Sequence, residues 1–215
     1  MKQDLKLSEK LFCLAISPES GGVLMGAYGT IGITVAGSVL VELMKKGLIS
    51  IDNGVVHVLN PLCQNDEIHE YFMSQIRLRH KPRKARAWIF RFNSRAGKIK
   101  KILIRQLVRN NVLRLEEKRF LFIPYHKVYL MDRTLVESIR NEVKETLLDK
   151  NNPTEEALTL AMMAAKTNLL MPIIPDKTER KIAASNLKKM PETAVSKAVQ
   201  ETIQMMHTTI IAAST

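Results

Sequence analysis

A mainly helical single domain carrying small β-hairpins is the fold this sequence predicts, and three observations carry the prediction. Apolar residues recur at i, i+3, i+4 and i+7 along several segments. Hydrophobic residues make up 46% of the 215, with only 9 Gly and 8 Pro, enough to bury a real core and too ordered a composition for a disordered chain. A helix followed by a hairpin is written twice, since VLVELMKKGLISI at 39–51 lines up with LIRQLVRNNVLRL at 103–115 and strand-like segments follow both. Helix then hairpin is the unit of winged-helix proteins. No low-complexity linker or domain boundary interrupts the chain, so one domain over 1–215 is expected.

Taken in order, Ser8 stands as N-cap before Leu11, Phe12 and Ala15, predicting an opening helix that ends at the turn of Ser17 to Gly22. Val23 to Val41 carries no charge over 19 residues, long enough to cross a bilayer. Gly26, Gly29, Gly32 and Gly37 with Thr30, Thr34 and Ser38 make it only weakly apolar, and it reads instead as a Gly-rich connection into a buried helix ending near Lys46. Gly47 takes the position after the helix, and LISIDNGVVHV reads as strand, Asp-Asn-Gly turn, strand.

Pro82 is placed as a first helical residue, with Ala85, Trp88, Ile89 and Phe92 on one face and Arg83, Arg86 and Arg91 on the rest. After 93–97 a second helix turns Ile99, Ile102, Leu103 and Leu107 inward and Lys98, Lys101, Arg105 and Arg109 outward. Asn111 is the counterpart of Gly47; a turn is expected at Glu116 to Arg119, followed by the strand FLFIPYHKVYL with a bend at Ile123 to Tyr125. Thr134 and Glu137 form a capping-box pair for a helix with Leu135, Ile139, Val143 and Leu147 as its stripe. Thr154 to Leu170 is apolar enough to be the central buried helix, Pro172 to Pro175 a turn, and Lys177 to Lys189 and Pro191 to Ala213 two more helices.

Charge is the strongest functional signal. Between Tyr71 and Arg114 there is no acid and there are 14 Lys and Arg, whereas the rest of the chain holds 33 − 14 = 19 basic against 21 acidic residues. All of the net +12 therefore comes from one interval, which points to an anionic partner: nucleic acid, an anionic membrane or an acidic protein tail. Cys13 and Cys63 are the only cysteines, and Cys13, within an apolar run, reads as a buried free thiol in a reduced intracellular compartment. Met1 to Lys10 alternates charged and apolar residues and does not read as a signal peptide.

Enzyme signatures are missing. There is no HExxH or CxxC, and GAYGTIG lacks the Lys and Ser/Thr of a phosphate-binding loop. His69 in DEIHE reads as a solvated residue among exposed carboxylates and not as a metal ligand, and nothing near Tyr125-His126 completes a catalytic set. No catalytic residue, metal or cofactor is expected. Two binding readings follow: the helix-hairpin units on DNA, with Lys98, Lys101, Arg105 and Arg109 on phosphate, or the basic helices of 77–109 on an anionic membrane. Trp88 lies on the apolar stripe of its helix and reads as core.

LKLSEKLFCLAI, AGSVLVELMKKGLISID, KPRKARAWI and LVRNNVLRLEEKRFLFIPYHKVYLMD, in that order and spacing, resemble the Golgi phosphoprotein 3 family of phosphatidylinositol 4-phosphate effectors, and TLAMMAAKTNLLMPIIPDKTERKIAASNLKKM extends the resemblance. The resemblance implies a helix bundle ringed by amphipathic helices, with a hairpin near FLFIPYHKVYL for membrane contact and oligomerisation. It also implies a non-enzymatic cytoplasmic protein, peripheral on membrane, that gathers the tails of membrane proteins. Its headgroup pocket carries over to Ala27, with Tyr28 adjacent, and to Ala36, Gly97 and Lys100, of which only Lys100 keeps a charge. Lys100 with its neighbours Lys98 and Lys101, and Tyr28, are thus the candidates for an anionic headgroup; Ile123, Pro124 and Tyr125, exposed at the bend, are candidates for membrane contact, and the resemblance implies a homo-oligomer through the hairpin. It looks most like the prokaryotic branch, and a winged-helix nucleic-acid binder is the rival.

Overall fold

The computed structural model describes residues 4–18, 20–62, 66–79, 81–120, 123–148, 153–190 and 197–214, with side chains at all of these but 120, 123–126, 198 and 213–214. It is mainly helical with two small antiparallel sheets, as the periodicity predicts. Helix α2 (Ile31–Lys45) is apolar on every side, and such a helix is stable only when surrounded. It is buried from Gly32 to Leu43 and packs on α1 (Leu7–Leu14), α3 (Glu67–Arg77), α4 (Ala85–Asn93), α5 (Ala96–Arg109) and α10 (Lys197–Ser214). Its hydroxyls are satisfied within the helix: Thr34 Oγ1 donates to the Thr30 carbonyl and Ser38 Oγ to the Val35 carbonyl, both at 2.9 Å.

The uncharged run long enough to span a bilayer is therefore the centre of the bundle, and no helix among the described residues is long and apolar enough to cross a membrane. The sequence assigns the central place to Thr154–Leu170 instead. There α7 (Glu155–Lys166), capped by Thr154, is amphipathic, because Glu155, Glu156 and Lys166 at its ends must reach water while Leu158, Leu160, Ala161 and Met163 turn inward. It packs on α1, α10 and α6 (Arg133–Leu148); α8 (Leu170–Ile173) and α9 (Lys177–Lys189) complete the outer layer on α6. Pro172 lies inside α8, where a first turn tolerates it, and not in a turn; the expected helical start at Pro191 lies outside the described residues.

Both helix-hairpin copies are present. After α2, Gly47 takes φ +64°, and β1 (Ile49–Asp52) pairs with β2 (Val55–Val58) across Asn53 and Gly54, both with positive φ as a two-residue hairpin turn requires. After α5, Asn111 takes φ +52°, and β4 (Leu113–Phe120) pairs with β5 (Ile123–Leu130). The turn expected at Glu116 to Arg119 is strand. Those four residues contain no Gly, Asn or Asp to reverse the chain, and alternation puts Arg114, Glu116 and Lys118 on one face, where Glu116 bridges Arg114 at 2.6 Å and Lys118 at 3.9 Å. The bend expected at Ile123 to Tyr125 is the first part of β5, with Phe120 opposite Ile123 at the far end of the ribbon.

Three helix starts also move. Ser8 lies inside α1, whose N-cap is Lys6; the Glu9 carboxylate accepts the Lys6 N–H at 3.0 Å, and the Ser8 N–H is satisfied across the core by Glu42 Oε1 at 2.6 Å. At α6 it is Asp132, not Thr134, that accepts from the Leu135 N–H, at 2.8 Å. Pro82 precedes a short strand β3 (Arg83–Lys84) that adds to β2, and α4 begins only at Ala85, its N–H donating to the Gly54 carbonyl at 2.8 Å.

Candidate functional site

The basic tract has a well-packed underside. Trp88 and Phe92 of α4 lie on one side of the helix, Phe92 stacks on Phe72 of α3 with centroids 3.7 Å apart, and Trp88 stacks on Phe92 at 5.7 Å. Ile99, Ile102, Leu103 and Leu107 of α5 are buried as the periodicity predicts, and Lys98, Lys101, Arg105 and Arg109 are exposed. Gly32 lets α2 approach the α4–α5 connection: a β-carbon there would sit 2.3 Å from Asn93 Oδ1 and 2.9 Å from Ala96 Cβ.

At this close approach lies an open cleft of about 260 Å³, walled by Phe12, Val23, Ile31, Gly32 and Leu103, with Gly97 and Lys100 from α5 and Tyr28 from the loop before α2. Tyr28 is 77% exposed, and Met25, three residues earlier on a 3₁₀ turn (Met25–Ala27), is 93% exposed. Of the predicted headgroup set, Tyr28 and Lys100 share the cleft. Lys98 does not: its ammonium lies 4.4 Å from the centroid of the Tyr71 ring on the α3 side. Lys101 is on the exposed face of α5 with no acidic partner among the described residues. Arg105 and Arg109 are held by Glu67 at the start of α3, Arg105 in a close ion pair and Arg109 at 3.9 Å.

A family model for Golgi phosphoprotein 3 (GPP34) matches residues 7–206, nearly the whole length. The chain belongs to the Golgi phosphoprotein 3 family. No curated protein matches it. Within this family member, Ala27 and Ala36, two of the positions to which the headgroup pocket carries over, are buried and do not line the cleft, whereas Gly97 and Lys100 do. Sequence reasoning misses Met25, although an apolar side chain between Gly22 and Gly26 with no helical partner was the available signal.

The hairpin leans on α5 through β4 and buries its base with Leu113, Val128 and Leu130. Tyr129 collects cations: the charged groups of Arg114, Lys118 and Lys127 lie 5.1–5.5 Å from its ring centroid. Ile123, Pro124 and Tyr125 are register partners of Phe120, Arg119 and Lys118, and their side chains lie outside the described residues.

His69 is the largest correction. It is fully buried, not solvated: Nε2 meets Glu42 Oε2 at 2.5 Å, and Nδ1 lies 3.2 Å from Lys46 Nζ and 3.5 Å from Asp66 Oδ2. Asp66 also caps α3, accepting the Ile68 and His69 N–H groups at 3.1 Å, and pairs with Lys6 at 2.5 Å. Burial opposes ionisation of Asp66, but the Lys6 hydrogen bond and the His69 charge outweigh it and hold the carboxyl below its ordinary range. Burial also opposes the charged form of Lys6, and Asp66, followed by Glu9 and Glu42, outweighs it and raises the ammonium; for Glu9 burial wins and its carboxyl is raised. This network knits α1, α2 and α3 together. Among the described residues no group of three His, Cys, Asp or Glu is placed to hold a metal, and burial pushes the Cys13 thiol up to about 12.

Proposed function

We propose that this chain is a non-enzymatic, peripheral membrane-binding protein of the cytoplasm that takes anionic lipid headgroups at the cleft between the α2 loop and the start of α5. The observation that carries the reading is the meeting of Tyr28 and Lys100 in one open cleft, with Met25 exposed on the same loop and the exposed Lys98 and Lys101 at the same end of α5. Lys100 supplies charge to a headgroup, Met25 and Tyr28 supply apolar and amphipathic surface for the interface, and each cation near the surface adds on the order of 1 kcal/mol.

With one ammonium and no guanidinium fork among the described residues that line the cleft, the site suits a singly charged headgroup better than bidentate recognition of a phosphorylated inositol, the ligand that family resemblance suggests. The far end of the β4–β5 hairpin, at Ile123, Pro124 and Tyr125, is assigned to membrane contact and to pairing with a second copy, and tails of membrane proteins are the expected protein partners. Co-sedimentation with neutral and anionic vesicles, beside a duplex DNA titration at two salt concentrations, tests the reading. Retention by anionic vesicles alone is expected; tight DNA binding with a steep salt dependence and no lipid preference would sink it in favour of nucleic acid.

A further inference from the structure

A second cleft, of about 250 Å³, opens where β2, the end of α3 and the strand β3 meet, on residues that the lipid reading does not use. Val56, Ile76 and Pro82 wall it, Arg79, Lys81 and Arg83 stand in it, and Trp88 closes it from beneath. Three properties set it apart from the face of α5.

First, none of its cations is held by an acid, whereas Glu67 holds Arg105 and Arg109 of α5. Arg79, Lys81 and Arg83 are exposed, and none has an ion pair or a side-chain hydrogen bond among the described residues. Second, the charges crowd one another: partial desolvation, then the guanidinium groups of Arg79, Arg95 and Arg83, lower the neighbouring Arg91. Like charges gathered without a counter-charge raise the free energy of the empty protein, and a bound anion relieves that repulsion. Third, the floor holds an unused donor. Trp88 is 1% exposed, yet its indole Nε1 has no acceptor among the described residues. A buried N–H without a partner is costly, and an indole can only donate. Helix α4 also begins two residues after Arg83 with no side-chain cap and no acid in its first turn, its Ala85 N–H going to the Gly54 carbonyl.

Cations surrounding a cleft with no acid among its described lining residues call for an oxyanion. We propose that the cleft formed by Arg79, Lys81, Arg83 and Trp88 binds a phosphate group, separately from the Tyr28–Lys100 cleft. The guanidinium groups grip the phosphate oxygens in bidentate fashion and Lys81 adds charge at the mouth, over the Trp88 ring as floor. The phosphate has two possible sources, a lipid headgroup or a free phosphorylated small molecule.

Trp88 is the only tryptophan of the chain and reports on its own site. Emission of the full chain is followed while inorganic phosphate, or vesicles of phosphatidylcholine with and without phosphatidic acid, are added at constant ionic strength set with chloride. A saturable change in emission with phosphate or with phosphatidic acid vesicles, absent with chloride and with pure phosphatidylcholine, is expected. Arg79→Ala with Arg83→Ala removes it, and Lys181→Ala with Lys188→Ala, which takes two charges from exposed α9, leaves it intact. Response to phosphate alone assigns the site to a free phosphorylated ligand; response to phosphatidic acid vesicles assigns it to a headgroup. A flat emission trace with both, or an equal response in the double arginine variant, overturns the proposal. Because neither readout uses Tyr28 or Lys100, failure here leaves the membrane reading to stand or fall by itself.

Discussion

The two halves of the acid-free tract are equal in composition and opposite in circumstance. On α5 three of the cations have partners, Lys98 over the Tyr71 ring and Arg105 and Arg109 on Glu67, while Lys101 has no acidic one among the described residues. Around β3 and the start of α4, Arg79, Lys81 and Arg83 have no acidic partner among the described residues. One helix produces the difference. Helix α3 starts with Asp66 and Glu67, which serve its own cap and the neighbouring α5, and it ends at Arg77, just before Arg79, beside β3. A run of like charge in a sequence therefore says little about which cations are available; that depends on what lies across the groove.

The comparison breaks most severely at its anchor. His69→Ala removes one partner of Glu42 inside the core and leaves its carboxylate only the Ser8 N–H among the described residues; breaking a buried pair costs about 3–5 kcal/mol. Urea unfolding should show this loss as a lower midpoint with an unchanged slope. His69→Gln, which keeps one donor, should recover part of it.

A smaller effect follows from the Lys6–Asp66 pair. Asp66 has a lowered folded value, so its contribution is whole above the ordinary carboxyl range and is lost as pH falls through the folded value. Lys6 has a raised one, so its share is whole below 10.5 and is lost as pH rises through the folded value. Glu9, raised by burial, acts oppositely to Asp66: its protonated form is the one the fold favours, so it takes stability away as pH climbs through 4.5 to its folded value. Lys6→Met should cost about 1–2 kcal/mol at neutral pH and move the acid unfolding limb upward, as thermal melts across pH would reveal. An unchanged acid limb would show that the pair does not hold Asp66 down.

The smallest change sharpens the contrast most. Glu67→Gln frees Arg105 and Arg109 while altering stability by less than about 1 kcal/mol, as expected of exposed pairs. Anionic vesicle binding should tighten about fivefold and become more salt-dependent, making α5 resemble the β3–α4 end. No change in affinity would mean that α5 does not face the lipid.

Much of the fold was legible because periodicity and turn chemistry are local. Ile99, Ile102, Leu103 and Leu107 declared the buried side of α5, and Asp52-Asn53-Gly54 declared a hairpin. Other features depended on residues far away in the chain. Ser8 looks like a cap until Glu42 is seen to satisfy its N–H, and His69 looks solvated until Glu42, Lys46 and Asp66 are found around it. The charged strand Glu116 to Arg119 misled because turn residues are polar, yet an exposed two-stranded ribbon accepts the same composition. Of the candidate site residues, Tyr28 and Lys100 line one cleft, while Lys98 and Lys101, close by in sequence, are on the exposed face of α5 and do not line it. Successive helical residues turn by about 100°, which scatters neighbours that a linear reading groups together.

The central claim is that the start of α5 meets an anionic membrane. Co-sedimentation of a variant carrying Lys98→Ala, Lys100→Ala and Lys101→Ala with phosphatidylserine-containing vesicles tests it most directly. At about 1 kcal/mol per cation, affinity should fall roughly 100-fold while the melting temperature stays within a few degrees. Unchanged retention on those vesicles would contradict the account and move the membrane-binding surface elsewhere on the molecule.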